Sequence, residues 1–208
     1  MTHPVVAAAE EVVAQEWQQF QEVQGLDGRA QCQDDWPTFH QMRISQFLAW
    51  PLALIESYSR DLAGARSVGR NLVSEKYGRM MADTDPIAYA RDIAPVVQEL
   101  PEQRIAQQEE VVTTQVAWAA DFMARYPRLG AGMRVLRTAQ DTPTETSFET
   151  YLRGELGSYS GRTFAMYRAM IAGLRSEGGN LTEQILGWTV RLAGYPGLAE
   201  AEAAQPQH

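Results

Sequence analysis

Apolar positions recur at three- and four-residue intervals over most of this chain, and no stretch of useful length alternates with the two-residue period of a strand. Val13, Trp17 and Phe20 share one face of a first helix, from about Pro4 to Gln24, with Gly25 as its stop. A turn at Leu26-Asp27-Gly28 follows. Asp34 or Asp35 then caps a helix carrying Phe39, Met42, Phe47 and Trp50, with Pro37 in its first turn and Pro51 as its end or kink. Leu52, Ile55, Leu62 and Ala65 continue a stripe to about Gly69. Asn71 opens a short helix through Tyr77 and Met80, and Thr84-Asp85-Pro86 opens another that Pro95 disturbs. The clearest helix runs from Pro101 to about Tyr126. Thr138 to Ser147, rich in Thr, Asp and Pro, reads as a surface loop. The capping box Thr146-Ser147-Phe148-Glu149 starts a helix to about Ser176. Asn180-Leu181-Thr182-Glu183 starts the last one, which Gly194 stops, and Leu198 to His208 reads as a frayed tail. Together these elements predict an all-α, single-domain bundle of six to eight helices over residues 1–208, with a core from about 4 to 195.

Polar residues that interrupt the apolar seams are the candidates for chemistry. Ile105, Glu109, Val112, Val116, Ala119, Met123 and Tyr126 share one face of the helix from Pro101, and Glu109 is its only charge. Phe148, Leu152, Glu155, Tyr159, Thr163, Met166 and Met170 form a second seam, again with one charge, Glu155, and with Tyr159 one turn above it. A buried carboxylate must meet an arginine, share a proton or hold a metal, because desolvating it alone costs several kcal/mol. The competing readings are a buried Glu–Arg pair and a seam that rotates, leaving the glutamate at the rim. In the second helix His40, Ile44, Phe47 and Pro51 share a face, which offers an inward His40 against the plainer reading of a satisfied core or surface histidine. Arg43 and Gln46, three residues apart, form a donor pair suited to a carboxylate or phosphate.

Asp35 and Glu75 join the substrate-binding candidates, with helix capping and a solvated face as their plainer alternatives. The same plain reading covers Lys76. Cys32 reads as a small buried thiol rather than a nucleophile.

Composition narrows the classes. The 208 residues are 45% hydrophobic and 21% charged, an ordinary globular balance, with a net charge of −8. No basic stripe offsets that charge, so nucleic acid is not an expected partner. One cysteine allows no internal disulfide and suits a reducing cytoplasm. The N-terminus lacks the basic segment of a signal peptide, and no apolar run approaches the ~20 residues that cross a bilayer, so neither secretion nor a membrane is expected. No CxxC, HExxH, GxGxxG, P-loop or flavin motif occurs, and no Glu-x-x-His pair marks a di-iron bundle.

Three blocks carry a family resemblance: Gly28 to Trp50, with Cys-Gln-Asp-Asp-Trp-Pro-Thr-Phe-His at 32–40; Gly69-Arg-Asn-Leu-Val-Ser-Glu-Lys-Tyr-Gly-Arg-Met-Met81; and Thr146-Ser-Phe-Glu-Thr-Tyr-Leu-Arg-Gly-Glu-Leu-Gly-Ser-Tyr-Ser160. The chain, from about Glu16 to Glu202, resembles the bacterial domain of unknown function 4125 family. The resemblance implies one helical domain and supplies no reaction. Some members of that family are joined to a nucleotidyltransferase-like domain.

The expectation is a small-molecule enzyme with a polar pocket inside the bundle. Glu109, Glu155, Tyr159 and His40 are its catalytic candidates, and Arg43, Gln46, Asp35 and Glu75 bind substrate. Glu109, Glu155 and His40 are the ligands if one divalent metal is bound. The alternative is a non-catalytic helical module, either a partner of a nucleotidyltransferase-type protein or a homodimeric scaffold.

Overall fold

The computed structural model describes residues 3–24, 28–142 and 145–206. Gly25 to Asp27, Pro143, Thr144 and His208, each part of an expected stop, loop or tail, lie outside the described residues. Among those described, no strand forms and eleven α-helices do, more than the six to eight expected. The first four are α1 (Pro4–Gln21), α2 (Trp36–Leu48), α3 (Leu52–Ser67) and α4 (Leu72–Thr84). Three follow in the middle of the chain: α5 (Pro86–Ala88), α6 (Glu102–Arg125) and α7 (Pro127–Ala131). The last four are α8 (Phe148–Ser158), α9 (Gly161–Ser176), α10 (Leu181–Leu192) and α11 (Leu198–Ala204).

The expected caps work as side-chain acceptors. Asp35 takes the Thr38 N–H, Asn71 that of Ser74, Ser147 that of Thr150 and Asn180 that of Glu183. Pro51 separates α2 from α3, and Gly194, at φ +91°, ends the run after α10.

One expectation needs correction. The helix from Ser147 does not run to Ser176: Tyr159 and Ser160 are extended, and the Ser160 hydroxyl caps a new helix by accepting the Thr163 N–H. The count rises for this reason and because short turns such as α5 and α7 are helical. Within the expected tail, Leu198–Ala204 form α11. In α11 Ala201 is fully buried, and the Glu202 carboxylate receives the Arg128 and Leu129 N–H groups at 2.9 and 2.8 Å, capping the start of α7.

One hydrophobic core draws on α1, α2, α3, α4, α6, α8, α9 and α10, with Phe47, Leu54, Ile55, Leu62 and Leu156 among its fully enclosed side chains. Helix α4 packs closely on α8. A Cβ at Gly154 would lie 2.6 Å from the Lys76 carbonyl oxygen, so only glycine lets these backbones meet. That contact brings Lys76 of α4 beside Glu155 of α8.

Candidate functional site

Four charged side chains from four helices meet inside the bundle: Glu16 (α1), Arg43 (α2), Lys76 (α4) and Glu155 (α8), each no more than 6% exposed. Arg43 donates from Nε to Glu16 Oε2 at 2.6 Å and from Nη2 to Glu16 Oε1 at 2.7 Å, a bidentate grip. The same guanidinium reaches Glu155 at 3.3 and 3.4 Å and gives a 2.7 Å bond to Gln46 Oε1. Gln46 in turn donates to Glu155 Oε1 at 2.6 Å, and the Tyr159 hydroxyl does so at 2.8 Å. Tyr58 donates to Glu16 Oε1 at 2.8 Å. Lys76 Nζ donates to the Tyr151 hydroxyl at 2.7 Å and stands 3.9 Å from Glu155 Oε2.

Two carboxylates thus face two cations, and the cluster is formally neutral, which makes its burial tolerable. Burial alone would raise the Glu155 carboxyl, but Arg43, then Lys76, Gln46 and Tyr159, outweigh it and hold the group at about 2. Burial opposes the Lys76 charge, yet Tyr151, Tyr77 and Glu155 around it keep its pKa above the ordinary lysine value. Burial, then Glu155, raises the Tyr159 hydroxyl well above its usual range, so it stays a donor.

A pocket of about 150 Å³ opens above Arg43 and Lys76, between α1, α2, α4 and α8. Phe20, Phe39 and Tyr77 form apolar walls, and Asp35 and Arg134 stand among its lining residues. The Phe20 and Phe39 rings stack at 5.2 Å. Tyr151, the partner of Lys76, lies with its ring under both the Lys76 ammonium and the Arg134 guanidinium, at 4.5 and 4.9 Å.

The expected site residues divide. Arg43, Gln46, Glu155 and Tyr159 meet in the cluster, and Asp35 lines the pocket while capping α2. Glu109 is elsewhere. Its carboxylate is 41% exposed and takes two bonds from Arg153, at 2.8 and 3.0 Å. Arg153 and Glu155 are two residues apart on α8 and point to opposite sides, so the two glutamates do not share a pocket. The reason is a rotated seam: the buried face of α6 is Gln108, Val111, Val112, Gln115, Val116, Ala119 and Phe122, and Glu109 falls at its rim.

His40 is not inward but pairs with Glu10 at the surface, 2.8 Å away. Glu75 is held by Arg70 through two 2.7 Å bonds rather than facing the pocket. The metal set of Glu109, Glu155 and His40 is therefore not assembled, and no group of three or more His, Cys, Asp or Glu side chains is placed to hold a metal among the described residues. Cys32 is exposed, not buried; its neighbour Gln33 fills the interior instead and donates to the Phe20 and Val23 carbonyls.

Glu16, Lys76, Tyr58 and Tyr151 were not among the expected site residues. For two of them the signal is in the spacing. Glu16 lies four residues after Val12 and four before Phe20, and Lys76 lies between Leu72, Val73 and Met80, so both sit on apolar stripes.

An all-helical protein built around a buried ion cluster is the class these observations define. Residues 7–203 match the family described as Protein of unknown function (DUF4125), and the chain belongs to that family. No curated protein and no solved structure matches it. No helix among the described residues is long and apolar enough to cross a membrane.

Proposed function

We propose that the protein binds a small organic monoanion with an aromatic or apolar body in the pocket above Arg43 and Lys76. The observation that carries this reading is the state of Lys76. Its ammonium is buried and charged at the pocket floor; among the described residues its one side-chain hydrogen bond goes to a phenol and its nearest carboxylate is 3.9 Å away. An ammonium has three donors, so capacity remains for a ligand. Arg43, Lys76 and Arg134 line the pocket with Glu16 and Asp35, and Glu155 behind the lining balances the sum, so the position of the Lys76 ammonium rather than a net charge favours an anion. The stacked Phe20 and Phe39 and the neighbouring Tyr77 supply the apolar surface for its body.

The reading is one of recognition. Glu155, held at about 2 by its cations and donors, has no proton to give at neutral pH, which speaks against the acid–base role expected of it. A cytoplasmic setting fits the single exposed thiol of Cys32.

Benzoate is the simplest probe of this chemistry. A ligand that binds only the folded form raises the melting temperature by mass action. The wild-type melting temperature is expected to climb with benzoate concentration, while that of Lys76→Met stays flat. A flat response in the wild type rejects the reading.

A further inference from the structure

Arg79 and Arg104 form no ion pair among the described residues. Arg79 Nη2 donates to the Gln98 carbonyl at 2.6 Å and Arg104 Nη2 to the Leu156 carbonyl at 2.7 Å. Among the described residues neither has a carboxylate in ion-pair contact, and the Nε of each is closed off from solvent with no partner. The Glu75 charge that acts on Arg79 is already committed to Arg70. The Arg79 charge is also felt at Arg104. Burial first, and then the Arg79 charge, push the Arg104 pKa down to about 10. Partly buried like charges with no counterion weaken a fold unless an anion comes to sit between them.

The surroundings are built to receive one. Arg104 lines a groove of about 1010 Å³ between α6 and α9. Arg79 lines an adjoining recess of about 230 Å³, and the two spaces share Gln98 and Tyr159. The stem of Arg79 passes over Gly157, where a Cβ would come within 2.7 Å of Arg79 Cδ, so the absence of a side chain there admits the arginine. The Arg104 guanidinium lies over the face of Phe164, which fixes its plane. Of the acids facing these spaces, Glu110 is paired with Arg168 at 3.1 Å, while Asp61 accepts the Ser160 N–H at 3.0 Å and shares the recess with Arg60.

We propose that the junction of groove and recess is a binding site for a phosphate monoester, with its phosphoryl group between Arg79 and Arg104 and its organic body along the α6–α9 groove. A phosphate monoester carries a charge of about −1.5 to −2 at pH 7, which matches two guanidiniums where a carboxylate would neutralise only one. Guanidinium forks suit phosphoryl oxygens, and the Nη1 nitrogens of both arginines make no hydrogen bond within the described residues. The site is separate from the pocket above Lys76 and does not depend on it.

Isothermal titration of the full chain with phenyl phosphate tests the proposal. Saturable binding is expected. It should weaken about tenfold or more in Arg79→Gln and in Arg104→Gln, as loss of a charge-assisted bidentate contact requires, and stay unchanged in the surface control Arg66→Gln. Gly157→Ala, which displaces the Arg79 stem without touching a ligand atom, should weaken it as well. Affinity should rise as pH climbs through the ester's second ionisation near about 6, because the dianion is the species recognised. If the glutamine variants fail to fold, Arg79→Lys and Arg104→Lys keep the charge, lose the fork and are expected to show the same weakening. Absence of saturable binding by the wild type overturns the proposal. Equal affinity in the wild type and the arginine variants does so too, as does benzoate binding as tightly with the same dependence on Arg79 and Arg104.

Discussion

The Arg43 guanidinium and the Glu16 carboxylate lie fork to fork, with parallel bonds of 2.6 and 2.7 Å, deep between α1 and α2. Glu155 takes the outer edge of the same guanidinium, so one arginine serves two carboxylates. Removing it leaves both buried without their main counterion. Arg43→Met is expected to lower the unfolding free energy by about 3–5 kcal/mol, measured by urea denaturation. Arg43→Lys, which keeps the charge but loses the fork, should fall between the two. A loss below about 1 kcal/mol for Arg43→Met, the range of exposed pairs, would show that the cluster is not the enclosed network described.

Glu155 gives the stability a pH signature. Its folded pKa lies below its ordinary value, at about 2 against 4.5. The stabilisation it provides is therefore complete above 4.5 and is lost as pH falls toward 2. Between those limits the wild type is expected to lose stability more steeply than Glu155→Gln, whose amide does not titrate there. Denaturant midpoints collected across that window should converge as pH falls; curves that stay parallel contradict the assignment.

Gly154 sets the approach of α4 to α8. An alanine there would place Cβ 2.6 Å from the Lys76 carbonyl oxygen and 2.7 Å from Met80 Cγ. Since one of these atoms is backbone, the helices must separate. Gly154→Ala is expected to cost about 1–3 kcal/mol by thermal or urea unfolding, despite alanine's better helix propensity. A stabilising effect would mean that the helices are less closely packed than described.

Glu109 provides the contrast. Its pair with Arg153 is only part-buried and Arg153 keeps Glu149 and Thr138 as partners, so Glu109→Gln is expected to change stability by no more than about 1 kcal/mol. It should also leave the benzoate response of the melting temperature intact. Loss of that response would return Glu109 to the site.

Much of the architecture is legible in the sequence because it rests on local chemistry. Asp35, Asn71, Ser147 and Asn180 cap the helices that they announce, and Pro51 divides the two helices on either side of it. The break at Tyr159 is invisible to periodicity, since the apolar seam continues through it in phase while Ser160 supplies a second cap. Arg43, Gln46, Glu155 and Tyr159 are recoverable as polar residues on apolar seams. Glu109 satisfies the same test and lies outside, because the buried stripe of α6 is turned toward Gln108 and Gln115. Lone charges on a stripe do not reveal which helices face each other. Of the partners of Glu155, Lys76 is brought in by the α4–α8 contact that Gly154 permits, while Arg43 and Gln46 reach it from α2, so the set depends on the whole bundle closing around it.

Lys76 is the only lysine among 208 residues, so 15N-lysine labelling gives a single side-chain ammonium signal from the floor of the pocket. A buried, protonated ammonium bound to Tyr151 is expected to exchange slowly with water and to be visible at neutral pH. Titration with benzoate should move that signal saturably in the wild type, and Tyr151→Phe should shift its starting position. A signal that is slow to exchange but unmoved by benzoate at any concentration would contradict the claim that Lys76 holds an anionic ligand.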